Sequence, residues 1–125
     1  MVKFFLVAGR ISAALCIVLG AFAAHGLKQQ LSAESLSAFQ TGVQYQFYHS
    51  LGLILVGVLM LQLQVTTGFV KYAGLAMLAG MVLFSGSLYV LSVGAWKWLG
   101  PITPVGGFAF IVAWLLLAIG VVKNV

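Results

Sequence analysis

The chain has 125 residues, of which 63% are hydrophobic and 6% are charged, and its mean hydropathy is +1.18. A soluble domain has roughly 25% charged residues, so this composition excludes a soluble enzyme, a nucleic-acid-binding protein and a disordered chain as first interpretations. The net charge of +5 does not indicate a nucleic-acid partner, because the six basic residues are scattered singly. The sequence therefore predicts an integral membrane protein.

Four apolar stretches are long enough to cross a bilayer as helices, which takes about 20 residues each. The stretches are continuously apolar, whereas the strands of a membrane barrel would alternate. We therefore expect an all-α membrane protein, a four-transmembrane-helix antiparallel bundle that forms a single domain over residues 1–125. The predicted spans are residues 4–24, 43–63, 69–92 and 102–122.

The connection between spans 1 and 2 is the longest and has a helical pattern of its own. Ser32 is a good N-cap, and Leu36, Phe39 and Val43 follow at spacings of three and four. This pattern predicts a short amphipathic helix at the membrane interface that runs into span 2. A polar linker is the alternative.

The basic residues near the span ends predict the orientation. Four lie on the side of the termini and two on the opposite side, so both termini are expected in the cytoplasm. Cleavage after Ala23, as in a signal peptide, is disfavoured because Arg10 interrupts the apolar region. The four are Lys3, Arg10, Lys71 and Lys123, and the two are Lys28 and Lys97.

Most polar residues of the spans fall on the side opposite the termini, in the outer leaflet, when depth is counted at about 1.5 Å per residue. They could line one pocket that binds or transports a small molecule or ion. Alternatively, they could hold the helices together by hydrogen bonds. The candidate residues are His25, Gln44, Tyr45, His49, Ser85, Ser87, Tyr89 and Thr103.

The two histidines raise the question of a metal or haem. His25 and His49 on adjacent spans could be axial ligands of haem iron in a redox subunit, which is the most distant alternative. Two histidines with no nearby cysteine or acid make a poor zinc site. We therefore expect neither a metal site nor a cofactor.

Arg10 lies about 9 Å inside span 1 by the same helical rise. The only acidic residue, Glu34, is on the opposite side of the membrane, so no carboxylate in the spans can pair with Arg10. Its long side chain could reach the phosphates of the inner leaflet. The alternative is a carboxylate of a partner protein.

No catalytic set is recognisable, because the chain lacks a pair of acid/base carboxylates, a nucleophile motif and a phosphate-binding glycine loop. The sequence therefore favours a non-enzymatic protein that packs with itself, with membrane lipids or with a larger membrane complex.

Four ordered segments resemble the DUF423 family, also catalogued as the UPF0382 inner-membrane family and related to the mitochondrial transmembrane protein 256 group. The resemblance covers essentially the whole chain and implies a four-span protein of the bacterial cytoplasmic membrane, or of mitochondria, without an established activity. Ala23 is a departure, since the family usually has glycine there. The segments are Gly20–Leu27, Thr41–His49, Leu83–Tyr89 and Ile102–Gly107.

Overall fold

The computed structural model of the protein describes residues 1–66, 68–94 and 96–125. The described residues form helices and connecting turns without a strand, and four helical segments are long and apolar enough to cross a membrane. The predicted all-α, four-span architecture is thereby confirmed. The helices are α1 Val2–His25, α2 Ala33–Leu63, α3 Phe69–Gly80, α4 Gly86–Ser92 and α5 Ile102–Asn124.

The third span is one continuous stretch, Phe69–Ser92, made of three parts. Met81–Ser85 form a π-helical turn that joins α3 to α4 without a break in the backbone. A π turn is one residue wider than an α turn and is found mostly as a single turn inside an α-helix. The π turn therefore changes which side chains of α4 face each neighbouring helix.

The first connection confirms the predicted cap and the predicted helix that runs into span 2. The backbone N–H of Ser35 donates to Ser32 Oγ at 3.1 Å, and a helix begins at Ala33. This helix continues through Gly42 into the span, so the predicted short helix forms the beginning of α2. A side chain on Gly42 would meet the ring of Tyr89 at 2.8 Å, so glycine here lets α2 and the third span approach closely.

The second connection is a tight hairpin. Gln64 ends α2 in the left-handed region with φ 56°, and Gly68 precedes α3 with φ 92°. Thr67, within the predicted connection, and Ala95, within the next one, lie outside the described residues.

The spans pack in chain order: α1 on α2, α2 on the third span, and the third span on α5. Small residues allow close approach, since a side chain on Gly9 would meet the carbonyl oxygen of Ser50 at 2.7 Å. The larger apolar core lies towards the end near the termini, where Phe5, Leu53 and Met77 are fully buried, and a smaller one with Phe39 lies at the opposite end.

This packing leaves two grooves, one on each side of the contact between α2 and the third span. The α1 groove lies between α1 and the third span, and Phe4, Ile11 and Val82 are among its lining residues. The α5 groove lies between α2 and α5, with Tyr45 and Phe108 among its lining residues.

Candidate functional site

The α5 groove contains two of the predicted site residues, Tyr45 and His49. It has a volume of about 880 Å³. Phe84, from the π turn, forms part of its wall, and Trp114 of α5 lies at its deep end. The lining is predominantly aromatic and apolar, which is typical of a site for a hydrophobic ligand.

His49 is fixed by contacts on both ring nitrogens and on one ring face. Trp114 Nε1 donates to His49 Nε2 at 3.0 Å, and His49 Nδ1 lies 2.7 Å from the carbonyl oxygen of Tyr45. An indole N–H can only donate, so Nε2 is the acceptor and Nδ1 carries the proton. The imidazole also stacks on Phe110, with ring centroids 3.6 Å apart. His49 is therefore a neutral, internally bonded residue.

Tyr45 and Tyr48 lie at the end of the α5 groove that is far from the chain termini. Both rings are partly exposed, at 37% and 47%. Gln44 Nε2 lies 2.5 Å from the hydroxyl of Tyr48 and donates to it. Gln44 thus lies beside the groove entrance and not within the groove.

The α1 groove has a chain of hydrogen bonds on its floor. The Tyr89 hydroxyl donates to Gln46 Oε1 at 2.5 Å, and Gln46 Nε2 donates to Ser12 Oγ at 2.9 Å. The hydroxyl oxygens of Ser12 and Ser50 are 2.7 Å apart. This polar chain connects α1, α2 and the third span.

Three other predicted site residues join helices by hydrogen bonds. Buried Ser85 donates from its hydroxyl to the carbonyl oxygen of Gly42 at 2.7 Å, which ties the π turn to α2. Ser87 Oγ lies 2.5 Å from Thr103 Oγ1, which ties α4 to α5. These three hydroxyls therefore act in helix packing.

His25 lies apart from these residues, exposed in the last turn of α1. Since Ser12 contacts Ser50, which follows His49, the 13 residues from Ser12 to His25 separate the two histidines by roughly 20 Å along α1. The structure does not support a haem held between them, because that distance is too long and both nitrogens of His49 are engaged.

Arg10 is exposed, and its guanidinium points towards the end of the molecule with the termini. Arg10 Nη1 donates to the carbonyl oxygen of Leu6 at 2.9 Å, one turn back along α1. A helical side chain leans towards the N-terminus of its helix, so the geometry is that of a cation reaching for the membrane surface.

The structure thus distributes the predicted residues over several places instead of one shared pocket. Sequence reasoning missed Ser12, Gln46 and Ser50. The signal for Gln46 was available, because a carboxamide inside an apolar span must find a hydrogen-bond partner. Among the described residues, no group of three or more His, Cys, Asp or Glu side chains could hold a metal ion.

Comparison with known proteins places the chain in a family. Residues 19–107 match the family model DUF423, "Protein of unknown function". The chain is 49% identical over 121 residues to the UPF0382 membrane protein YwdK of Bacillus subtilis, covering 97% of this chain and 98% of the relative.

More distant relatives show the same full-length similarity. A UPF0382 membrane protein of Staphylococcus saprophyticus is 42% identical over 97% of this chain and 98% of its own length. One of Haemophilus influenzae is 40% identical over 91% of this chain and 90% of its own length. No solved structure is significantly similar. The chain is a multi-pass membrane protein that belongs to the DUF423 family, also named UPF0382.

Proposed function

We propose that this protein is a non-enzymatic lipid-binding protein of the bacterial cytoplasmic membrane that holds a phospholipid acyl chain in the α5 groove. The length of the groove carries the proposal. From Pro104 to Trp114, α5 rises ten residues, or about 15 Å. This length matches one leaflet, since the hydrocarbon core of a bilayer is about 30 Å thick.

The polar atoms of the groove also favour an acyl chain. At the deep end His49 and Trp114 satisfy each other, so this end is effectively apolar. At the entrance the side chains of Tyr45 and Tyr48 lean towards the N-terminus of α2, as helical side chains do. Tyrosine hydroxyls suit the headgroup level, where they can contact ester or phosphate oxygens.

The proposed orientation places both termini in the cytoplasm, so the α5 groove opens to the outer leaflet. Arg10 would then reach phosphates of the inner leaflet, as its contact with Leu6 suggests. Lys3 and Lys123 on the same side add to the basic charge expected there.

Association with a second copy or with a larger membrane complex is the second candidate, and the exposure of α1 favours it. Ile17 and Val18 are 69% and 63% exposed, because α1 packs mainly against α2. Such a face contacts either lipid or another membrane helix.

The α5 groove can be tested by filling it. A side chain added at Gly107 would begin 3.7 Å from the ring of Phe84, so the backbone tolerates it and Gly107→Leu projects into the groove. In native mass spectrometry of protein extracted from its own membrane, the wild type is expected to retain one phospholipid. Gly107→Leu should lower the lipid-bound fraction about tenfold, or 1.4 kcal/mol.

Gly86→Leu is the matched control, because Gly86 lines the other groove. It should retain the phospholipid like the wild type. Equal phospholipid retention by Gly107→Leu, or a wild-type protein that carries no phospholipid, would contradict the proposal. A stable oligomer without bound lipid would support the second candidate.

A further inference from the structure

The α1 groove extends to the end of the molecule with the termini. It has a volume of about 530 Å³, and its lining along α1 runs from Leu15 to Phe4, which is about 17 Å of helix rise. One leaflet of the hydrocarbon core is about 15 Å deep. The groove is therefore as long as the hydrocarbon layer of the leaflet on the side of the termini. Its end at Phe4 is called the mouth below.

The polar side chains on the floor of this groove are satisfied within the protein. The Tyr89 hydroxyl donates to Gln46 Oε1, and Gln46 Nε2 donates to Ser12 Oγ. The other described lining residues are apolar or glycine. Since the three polar side chains bond one another, the groove suits hydrocarbon, and its selectivity has to come from residues at the mouth.

Two basic residues, Lys3 and Arg10, lie beside the mouth. Both are exposed, and residues seven apart on a helix lie on nearly the same face. Lys3 directly precedes Phe4, and Arg10 follows Val7 by three positions, a spacing that makes neighbours on a helix surface. Phe4 and Val7 line the groove. The guanidinium of Arg10 is turned towards the mouth by its hydrogen bond to the carbonyl oxygen of Leu6.

Neither cation has an acidic side chain within reach. Glu34, the only acidic residue of the chain, lies in the first turn of α2 at the opposite end of the molecule. Arg10 donates one hydrogen bond to Leu6, whereas a guanidinium has five N–H donors. An anionic headgroup complements these two positive charges, and its phosphate can accept from both side chains. A zwitterionic headgroup would instead add its own cation beside them.

We propose that the α1 groove binds one anionic phospholipid from the leaflet on the side of the termini. The phosphate contacts Arg10 and Lys3, and one acyl chain lies in the groove along α1. The site does not rest on the function proposed for the α5 groove, because the two grooves share no lining residue and open at opposite ends. Both cations are exposed, so this lipid exchanges readily and is lost on extraction.

A photoreactive phospholipid therefore tests the site in a bilayer. The protein is placed in phosphatidylcholine nanodiscs with a small amount of phosphatidylglycerol that carries a diazirine on one acyl chain, and labelled peptides are mapped by mass spectrometry. A phosphatidylcholine probe with the same acyl chains is the comparison. On the α1 and third-span peptides that line the groove, the phosphatidylglycerol probe should label about fivefold more strongly.

Two double variants separate the proposed contacts from the general basic charge of this end. Lys3→Gln combined with Arg10→Gln should abolish the preference for phosphatidylglycerol. Lys71→Gln combined with Lys123→Gln removes the same charge from the same end and should keep the preference. These two lysines belong to α3 and α5, and Lys123 Nζ lies 5.5 Å from the ring centroid of Phe69.

A tryptophan in the groove tests where the acyl chain lies. Val82 lines the α1 groove and is 70% exposed, so Val82→Trp should fill the groove without displacing the core and should lower labelling by both probes. Val58→Trp is the matched control, because Val58 is 46% exposed on α2 and lines neither groove. It should leave labelling unchanged.

Equal labelling of the groove peptides by the two probes in the wild-type protein would overturn the proposal, whether or not the variants fold. An equal loss of preference in both double variants would also overturn it, as would wild-type labelling in folded Val82→Trp. Labels confined to the α5 groove would overturn this site and leave the proposed function of the α5 groove standing. A dimer that shields α1 from both probes would overturn it as well.

Discussion

His49 shows how a single residue can be predicted in place but not in role. Its position one turn from Tyr45 follows from the sequence, because residues four apart share a helix face. Its partners Trp114 and Phe110 come from α5, more than 60 residues away, and only the tertiary structure brings them together. A histidine that looks like a candidate ligand is thus the link between two helices.

The link between His49 and Trp114 can be measured with a double-mutant cycle. His49→Phe and Trp114→Phe each remove one side of the hydrogen bond and keep an aromatic ring. We expect a coupling free energy of unfolding of about 0.5–1.5 kcal/mol, as for hydrogen bonds between membrane helices. Unfolding in mixed micelles of mild and denaturing detergent gives the value, and strict additivity of the two substitutions would contradict the bond.

Gln46 shows that the depth of a polar residue in the membrane does not predict which neighbouring helix its side chain faces. Gln44 and Gln46 both lie near the start of the second span, and the depth of Gln44 at the membrane boundary makes it the predicted site residue. In the structure Gln44 faces outward beside Tyr48, whereas Gln46 holds Ser12 and Tyr89. Two residues apart on a helix face nearly opposite directions, and hydropathy does not tell which direction leads to a neighbouring helix.

Among the elements, the contact between α5 and the π turn depends on one of two adjacent glycines. A side chain on Gly106 would clash with the backbone nitrogen of Phe84, while one on Gly107 would lie 3.7 Å from the ring of Phe84. Backbone cannot move aside as a flexible side chain can. The two glycines therefore have different tasks although they look equivalent in the sequence.

Alanine substitutions at the two glycines should have different effects on stability. Gly106→Ala should lower the free energy of unfolding by about 1–3 kcal/mol because it forces α5 away from the third span. Gly107→Ala is expected to be neutral within about 0.5 kcal/mol. The same micelle unfolding measurement applies, and equal effects of the two alanines would show that α5 is not packed as described.

The sequence predicted some elements well for identifiable reasons. The start of α2 was predictable because Ser32 is a local cap, and its effect needs no distant partner. The π turn was not predictable, because Met81–Ser85 continues the apolar pattern of the span and carries no proline or charge to mark it. The contact that accompanies the π turn, the hydrogen bond from Ser85 to the carbonyl oxygen of Gly42, depends on the tertiary structure.

At the scale of the whole molecule, hydropathy predicts the number of spans, but it does not predict which spans pack against each other. Every span is apolar on most sides, so the sequence has no polar face to show which helices meet. The expectation of one shared outer pocket assumed a closed bundle. Packing in chain order gives instead two separate grooves, and of the predicted residues Tyr45 and His49 line the α5 groove and Tyr89 lines the α1 groove.

The orientation of the molecule is a prediction that reporter fusions can check. Because basic residues concentrate on the side of the termini, a green fluorescent protein fused after Val125 should fluoresce and alkaline phosphatase there should be inactive. Phosphatase inserted after Gln30, in the first connection, should be active. The opposite pattern at both positions would invert the assignment and place the α5 groove in the inner leaflet.

The π turn belongs to both grooves at once. Phe84 faces the α5 groove, and Met81 and Val82 face the α1 groove, so five consecutive residues supply walls on opposite sides of one span. A substitution that returned this turn to ordinary α-helical winding would rotate both walls together. A mutation that changes the winding of the π turn therefore changes the walls of both grooves. Natural selection on the shape of one groove consequently also acts on the shape of the other.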